Sequence, residues 1–153
     1  MADPDALIDE WFAGQPELRV ERVGERGWLT VLSGERKRTI PVYLELGAHG
    51  LSLESFFMTA PDEQHQQVYG LLLRRNLRTY TLRFAVDDTG DVLLVGLVPP
   101  AALTAEELDR VLGQLLVAAD ETYDQALRLG FAAYIEREQA WRAKVGAPRN
   151  PIT

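Results

Sequence analysis

The stretch LESFFMTAPDEQHQQVYGLLLRRN, residues 53–76, decides the fold. It opens on a strand-like run holding Leu53, Phe56, Phe57 and Met58, crosses Ala60-Pro61-Asp62, and then places apolar residues at helical spacing. Pro61 suits the first position of a helix, with Asp62 and Glu63 in the first turn, where the aligned peptide dipoles favour anions. Val68, Tyr69, Leu71 and Leu72 give that helix one apolar face. Arg74, Arg75 and Arg78 stand at its C-terminal end, where cations complement the dipole. Every residue type in the stretch is accounted for by a strand-to-helix junction before any reaction is invoked.

Upstream, DPDALIDEWFAG (residues 3–14) reads as a short helix. Asp3 caps it, Pro4 takes the first helical position, and Gly14 can end it in a left-handed conformation. Leu7, Ile8, Trp11 and Phe12 make its apolar stripe. Residues 20–23 are a weak extra edge strand. Residues 28–33 alternate, with Trp28, Thr30 and Leu32 on one side. Residues 39–46 alternate again, with Ile40, Val42, Leu44 and Leu46 facing one way and Tyr43 and Glu45 the other. Pro41 has no amide to donate, which places it at an edge or a bulge. GAHG (47–50) makes a hairpin, and residues 51–58 return as the next strand.

Downstream, residues 80–86 form a strand, DDTGD (87–91) a turn, and residues 92–98 a second strand. The second strand is apolar throughout, which predicts a central position covered on both faces. Thr104 and Glu107 match a capping box at the start of a long helix lined by Leu108, Val111, Leu112, Leu115, Leu116 and Ala119. An unbroken helix from Thr104 to Arg142 would be about 58 Å long at 1.5 Å per residue. That exceeds a domain whose radius of gyration is roughly 15 Å, so a break is expected near Gly130, with a new helix from about Phe131. The result is one α+β domain over residues 1–145 with a flexible C-terminal tail at 146–153. Its antiparallel sheet of five or six strands carries packed helices in the order α-β-β-β-α-β-β-α.

Composition narrows the function classes. The chain has 153 residues, 46% of them hydrophobic, with a net charge of −7 and no cysteine. That length supports a core without staples. The lack of cysteine removes disulfide, thiolate and zinc-thiolate chemistry and suits a cytoplasmic protein. The negative charge disfavours nonspecific nucleic-acid binding. The longest apolar run, residues 92–100, is far too short to span a bilayer, and the acidic N-terminus differs from a secretory signal.

The string KRTIPVYLELG…LSLESFFMTAPDEQH…VYGLLLRRNL, followed by DDTGDVLLVG and DETYDQALRLGF, resembles the YbjN family of bacterial proteins over about residues 18–134. The resemblance implies a fold like that of type III secretion chaperones, which pair as homodimers, and a role as a sensory-transduction or stress-related regulator. The family has no established catalytic residues, so none are carried over.

Candidate chemistry is sparse. His65 could titrate or bind a metal, but metal sites need three or four convergent ligands, and the other histidine, His49, lies in a hairpin turn. Glu54 shares a strand face with Ser52, Phe56 and Met58; it either bridges to a neighbouring strand or belongs, with Phe56 and Met58, to a partner-binding surface. Arg74, Arg75 and Arg78, with Arg83 beyond, either complement the helix end or bind an anionic peptide or phosphate. ERKR (35–38) reads as a solvated turn. Nucleophile-elbow, Walker and dinucleotide motifs are missing, and Asp-Thr-Gly at 88–90 sits in a turn. The expectation is a non-enzymatic, chaperone-like or regulatory domain without cofactor or metal. It pairs with itself as a homodimer and with an unidentified protein or peptide, and engages neither nucleic acid nor membrane. The rival expectations are a small-molecule site or enzyme using Glu54, His65 and nearby arginines, and a structural component of a larger assembly.

Overall fold

The computed structural model describes residues 3–149. Helix α1 (Pro4–Ala13) is followed by strands β1 (Val20–Val23), β2 (Gly27–Leu32), β3 (Ile40–Gly47) and β4 (Gly50–Met58). Helix α2 (His65–Arg75) then leads through a short 3-10 turn at Asn76–Arg78 into β5 (Leu82–Val86) and β6 (Val92–Val98). Two helices close the chain, α3 (Ala105–Gly130) and α4 (Ala132–Val145). The six strands form one antiparallel sheet in the order β1-β2-β3-β4-β6-β5. The expected α+β architecture and element order are present, and the helix break falls at Phe131, between α3 and α4.

The period-two pattern sets which face is buried. Trp28, Thr30 and Leu32 of β2, Ile40, Val42, Leu44 and Leu46 of β3, and Leu51, Leu53, Ser55 and Phe57 of β4 all point into the core. Helix α3 packs across β4 and β5 with α1 and α2 at its sides. Each large side chain buried this way, such as Leu53 or Phe57, contributes about 1.5–3 kcal/mol. Phe57 meets Phe84 and Tyr123 edge to face, at ring-centroid distances of 4.9 and 5.8 Å. Trp28 is fully buried, and its indole N–H donates to Asp9 of α1 at 2.8 Å, which fixes that helix to the sheet.

The turns follow their chemistry. Gly50 closes the β3–β4 hairpin at φ 122°, and a Cβ there would lie 2.1 Å from the Val98 carbonyl oxygen. The Asp87 carboxylate accepts from the amides of Thr89 and Asp91 and from the Thr89 hydroxyl, closing DDTGD as a turn. These bonds, the Thr89 hydroxyl's first, hold the Asp87 carboxyl below its usual value. Pro41 pairs with Val31, but the β3–β4 ladder begins only at Tyr43, so the missing amide of Pro41 disrupts no rung to β4.

Several expectations change. Helix α2 starts at His65, not Pro61, because Gln64 is left-handed (φ 53°) and the amides of Asp62 and Glu63 both donate to the Gly130 carbonyl, at 2.9 and 3.1 Å. Gly130 ends α3 with a free carbonyl to offer, and a Cβ at this position would lie 2.8 Å from the Pro61 Cβ. The Glu63 carboxylate accepts from the Ala133 amide in the first turn of α4, so the acidic pair serves the α3–α4 junction. Gly14 ends α1 at φ −82°, not in the left-handed region. The Thr104 hydroxyl accepts from the Glu107 amide as expected, but the Glu107 carboxylate turns to Arg110 instead of back to the cap. Strand β6 lies between β4 and β5 but is covered on one face only; Leu97 stays exposed. Residues 150–153 of the expected tail lie outside the described residues, while Gly146 caps α4 at φ 73°.

Candidate functional site

Helices α1, α2 and α3 pack on one face of the sheet, and the other face is open, its apolar side chains interleaved with Glu21, Glu45, Glu54 and Arg83. Direct cross-strand partners point to the same side. Register therefore puts Glu21, Leu29, Tyr43, Glu54, Val95 and Arg83 in one row across all six strands. The next row carries Phe56, Leu93 and Ala85, and Leu97 stands opposite Ser52 on the other side. Leu29, Val31, Phe56 and Leu97 are 37–46% exposed, so no described element covers this outer face. Single exposed apolar residues are ordinary, but a contiguous apolar face marks an interaction surface.

Glu54 and Phe56 both lie on this face, as the alternation implied. Met58 does not. The ladder slips between Phe56 and Met58, so two residues of β4 oppose one of β6, and Met58 pairs with Val92 on the core side. It is 3% exposed, and the expected Glu54, Phe56, Met58 surface loses its third member. Glu54 makes no ion pair with a described residue and stands between Tyr43 and Val95.

The arginines separate. Arg75 is drawn to Glu121 of α3 at 2.7 Å, with its Nε buried and unbonded, so it ties α2 to α3. Arg74 and Arg78 are exposed. Beside them stand Leu73, Leu77 and Tyr80, at 66, 86 and 85% exposure, the most open apolar group in the described chain. Arg83 is absent from this group; it lies on the outer sheet face beyond Val95. His65 is exposed at the start of α2, its ring 6.0 Å from that of Tyr69, while Glu54 projects from the opposite side of the sheet. The structure does not bring Glu54 and His65 together. Among the described residues no three His, Cys, Asp or Glu side chains gather to hold a metal ion.

A cleft of about 380 Å³ opens where α4 leaves α3, lined by Tyr123, Leu127, Phe131 and Ile135 with Asp62 and Glu138. None of Glu54, His65, Arg74, Arg75 or Arg78 lines it. No helix of the described chain is long and apolar enough to cross a membrane.

ERKR is solvated at Glu35, Arg36 and Arg38, as its charges suggest, but not at Lys37. Lys37 is only 8% exposed, its ammonium 4.4 Å from the centre of the Tyr123 ring, and burial pushes its pKa down. Asp120 of α3 accepts the backbone amides of Arg36 and Lys37 at 2.6 and 2.8 Å. Burial raises the Asp120 carboxyl, but the amides of Lys37 and Arg36 outweigh it and hold it below its usual value. Arg36 pairs with Asp124 at 2.9 Å. The sequence signal for this anchor was Asp120 and Asp124 at four-residue spacing on α3, opposite a basic hairpin.

Comparison with known proteins accords with this architecture. The family model YbjN, described as "Putative bacterial sensory transduction regulator", matches residues 10–128. The chain belongs to the YbjN family. An uncharacterized protein of Mycobacterium tuberculosis is 44% identical over 115 residues, covering 75% of this chain and 63% of that protein. An uncharacterized protein of Mycobacterium leprae is 37% identical over 141 residues, covering 92% and 73%. This YbjN member thus spans just under two thirds of the length of its M. tuberculosis relative. Among solved structures, a chain of the heterodimeric ExoU–SpcU complex from the Pseudomonas aeruginosa type III secretion system superposes with a TM-score of 0.54 at 19% identity, covering 82% of this chain and 98% of that one. A chain of the HopA1–SchA chaperone–effector complex gives 0.56 at 15% identity, covering 72% and 85%. The YbjN chain thus shares the fold of chains in type III secretion chaperone complexes, and α4 lies beyond the matched family region.

Proposed function

We propose that this YbjN protein is a non-enzymatic, chaperone-like binding domain that associates with itself and with a protein partner, regulating that partner by occupying it. The observation that carries this is the one-sided sheet. Six strands have helices on one face and, on the other, exposed apolar side chains around Phe56, Val95 and Leu97 with Glu54 and Arg83 set among them. A surface of that kind is stabilised when another apolar surface removes it from water.

Two surfaces divide the two associations. Glu54 and Phe56 belong to the outer sheet face. Arg74 and Arg78, with Leu73, Leu77 and Tyr80, form an apolar and basic patch at the end of α2, suited to a partner segment that is apolar with acidic flanks. Arg75 positions α2 through Glu121 and contributes to this patch indirectly. The fold shared with chains of chaperone–effector complexes supports protein as the ligand class. The lack of cysteine suits a reducing cytoplasm, where we place the protein.

Photo-crosslinking tests this. A benzophenone amino acid at position 56 or 77 is expected to capture protein in living cells, while the same probe at Glu10, exposed on α1, captures none. Equal capture at all three positions, or none at 56 and 77, contradicts it.

A further inference from the structure

We propose that the β4–β6–β5 part of the outer sheet face receives a second copy of this chain, sheet against sheet, about a two-fold axis running along β6 over Val95. This rests on the binding role given to that face and names its occupant. The argument is self-complementarity of the cross-strand rows. Val95 stands between Glu54 on one side and Arg83 on the other. At about 4.8 Å per strand, Glu54 and Arg83 start roughly 9.5 Å apart, and neither is ion-paired to a described residue.

A two-fold axis parallel to β6 leaves position along the strand unchanged and exchanges left for right. It therefore sets Glu54 of one copy over Arg83 of the other, twice, with Val95 over its own symmetry mate. The adjoining row behaves in the same way. Leu93 lies between Phe56 and Ala85, so the axis sets the largest side chain of that row over the smallest, again twice. One axis thus matches opposite charges in one row and bulk with space in the next. A two-fold across the strands over Glu54 would instead set that carboxylate against itself. Packed sheets hold their strand directions within about 30° of each other, which this arrangement permits. The lateral route is obstructed at β5, where the Asn76 side chain bonds both backbone groups of Phe84.

The test is a charge-exchange set measured by sedimentation velocity over micromolar concentrations, with circular dichroism as a check on folding. Both Glu54 and Arg83 are exposed, so their reversal leaves the fold intact. Glu54→Arg and Arg83→Glu are each expected to raise the dimer dissociation constant roughly tenfold or more, and the double variant to restore it. Restoration by the double exchange is a result that general loss of surface charge does not produce. A wild-type dimer indifferent to these reversals but dissociated by Leu77→Glu overturns the proposal and moves self-association to the end of α2. A wild-type monomer that still crosslinks other proteins through position 56 also overturns it, while the binding role of the face stands. A monomer with no crosslink at 56 removes both.

Discussion

The side-chain amide of Asn76 pairs with the backbone of Phe84 as a neighbouring strand would. Its Oδ1 accepts the Phe84 N–H at 2.7 Å and its Nδ2 donates to the Phe84 carbonyl at 3.3 Å. Strand β5 is a sheet edge, and unpaired edges invite strand addition. Asn76→Ala is expected to cost about 1 kcal/mol in urea unfolding. Its larger effect is a gain in concentration-dependent light scattering as the β5 edge opens; scattering equal to wild type would deny Asn76 this edge-blocking role.

Asp120 anchors the β2–β3 loop to α3. Asp120→Ala removes a charged acceptor from two amides and is expected to cost about 1.5–3 kcal/mol. The sign with pH follows from the lowered carboxyl. The unfolded state binds its proton first as pH falls, so the contribution is complete well above 3.8 and is lost as pH drops through the lower folded value. Wild type and Asp120→Asn are expected to converge in urea midpoint across that acid range. A gap that persists at the lowest pH at which both remain folded contradicts the assignment.

Lys37 gives the opposite slope. Its folded pKa is below 10.5 because of burial, so between the folded value and 10.5 the unfolded chain holds more protons and stability rises with pH. Against Lys37→Met, which cannot titrate, wild type is expected to gain stability as pH climbs from neutrality toward 10.5. A flat difference would mean the ammonium is solvated.

The bulge in β4 separates two residues that alternation places together. Met58→Ala is expected to cost about 2–5 kcal/mol, as for a buried side chain, whereas Phe56→Ala on the open face costs under about 1 kcal/mol in the monomer. Equal costs in thermal or urea unfolding would place both side chains on one face.

Much of this fold is written locally. The alternation of Ile40, Val42, Leu44 and Leu46 marks the core face directly, and the long apolar stripe from Leu108 to Ala119 requires a helix that a domain of this size must interrupt near Gly130. What escapes local reading depends on partners distant in the chain. Asp62 and Glu63 look like a helix's first turn, but their amides bond Gly130, and that close approach is not encoded at 61–63 alone. Lys37 looks solvated until Asp120 draws the loop onto α3 and Tyr123 covers the ammonium. The bulge at Phe57 shows only when β4 is laid on β6. The all-apolar β6 suggested cover on both faces; one side is uncovered, and it is there that we propose association takes place. For the candidate site, Glu54 and Phe56 were legible from alternation, whereas Leu77 and Tyr80 were not, since exposure of an apolar residue is set by what fails to pack on it.

The most direct measurement on the central claim uses Phe56→Glu with Leu97→Glu, two charges placed on the open face of β4 and β6. Folding is expected to survive, with a melting temperature near that of wild type, because neither side chain is part of the core. Sedimentation velocity is then predicted to show a monomer at concentrations where wild type is dimeric. A double variant that remains as associated as wild type would contradict the assignment of this face as the binding surface.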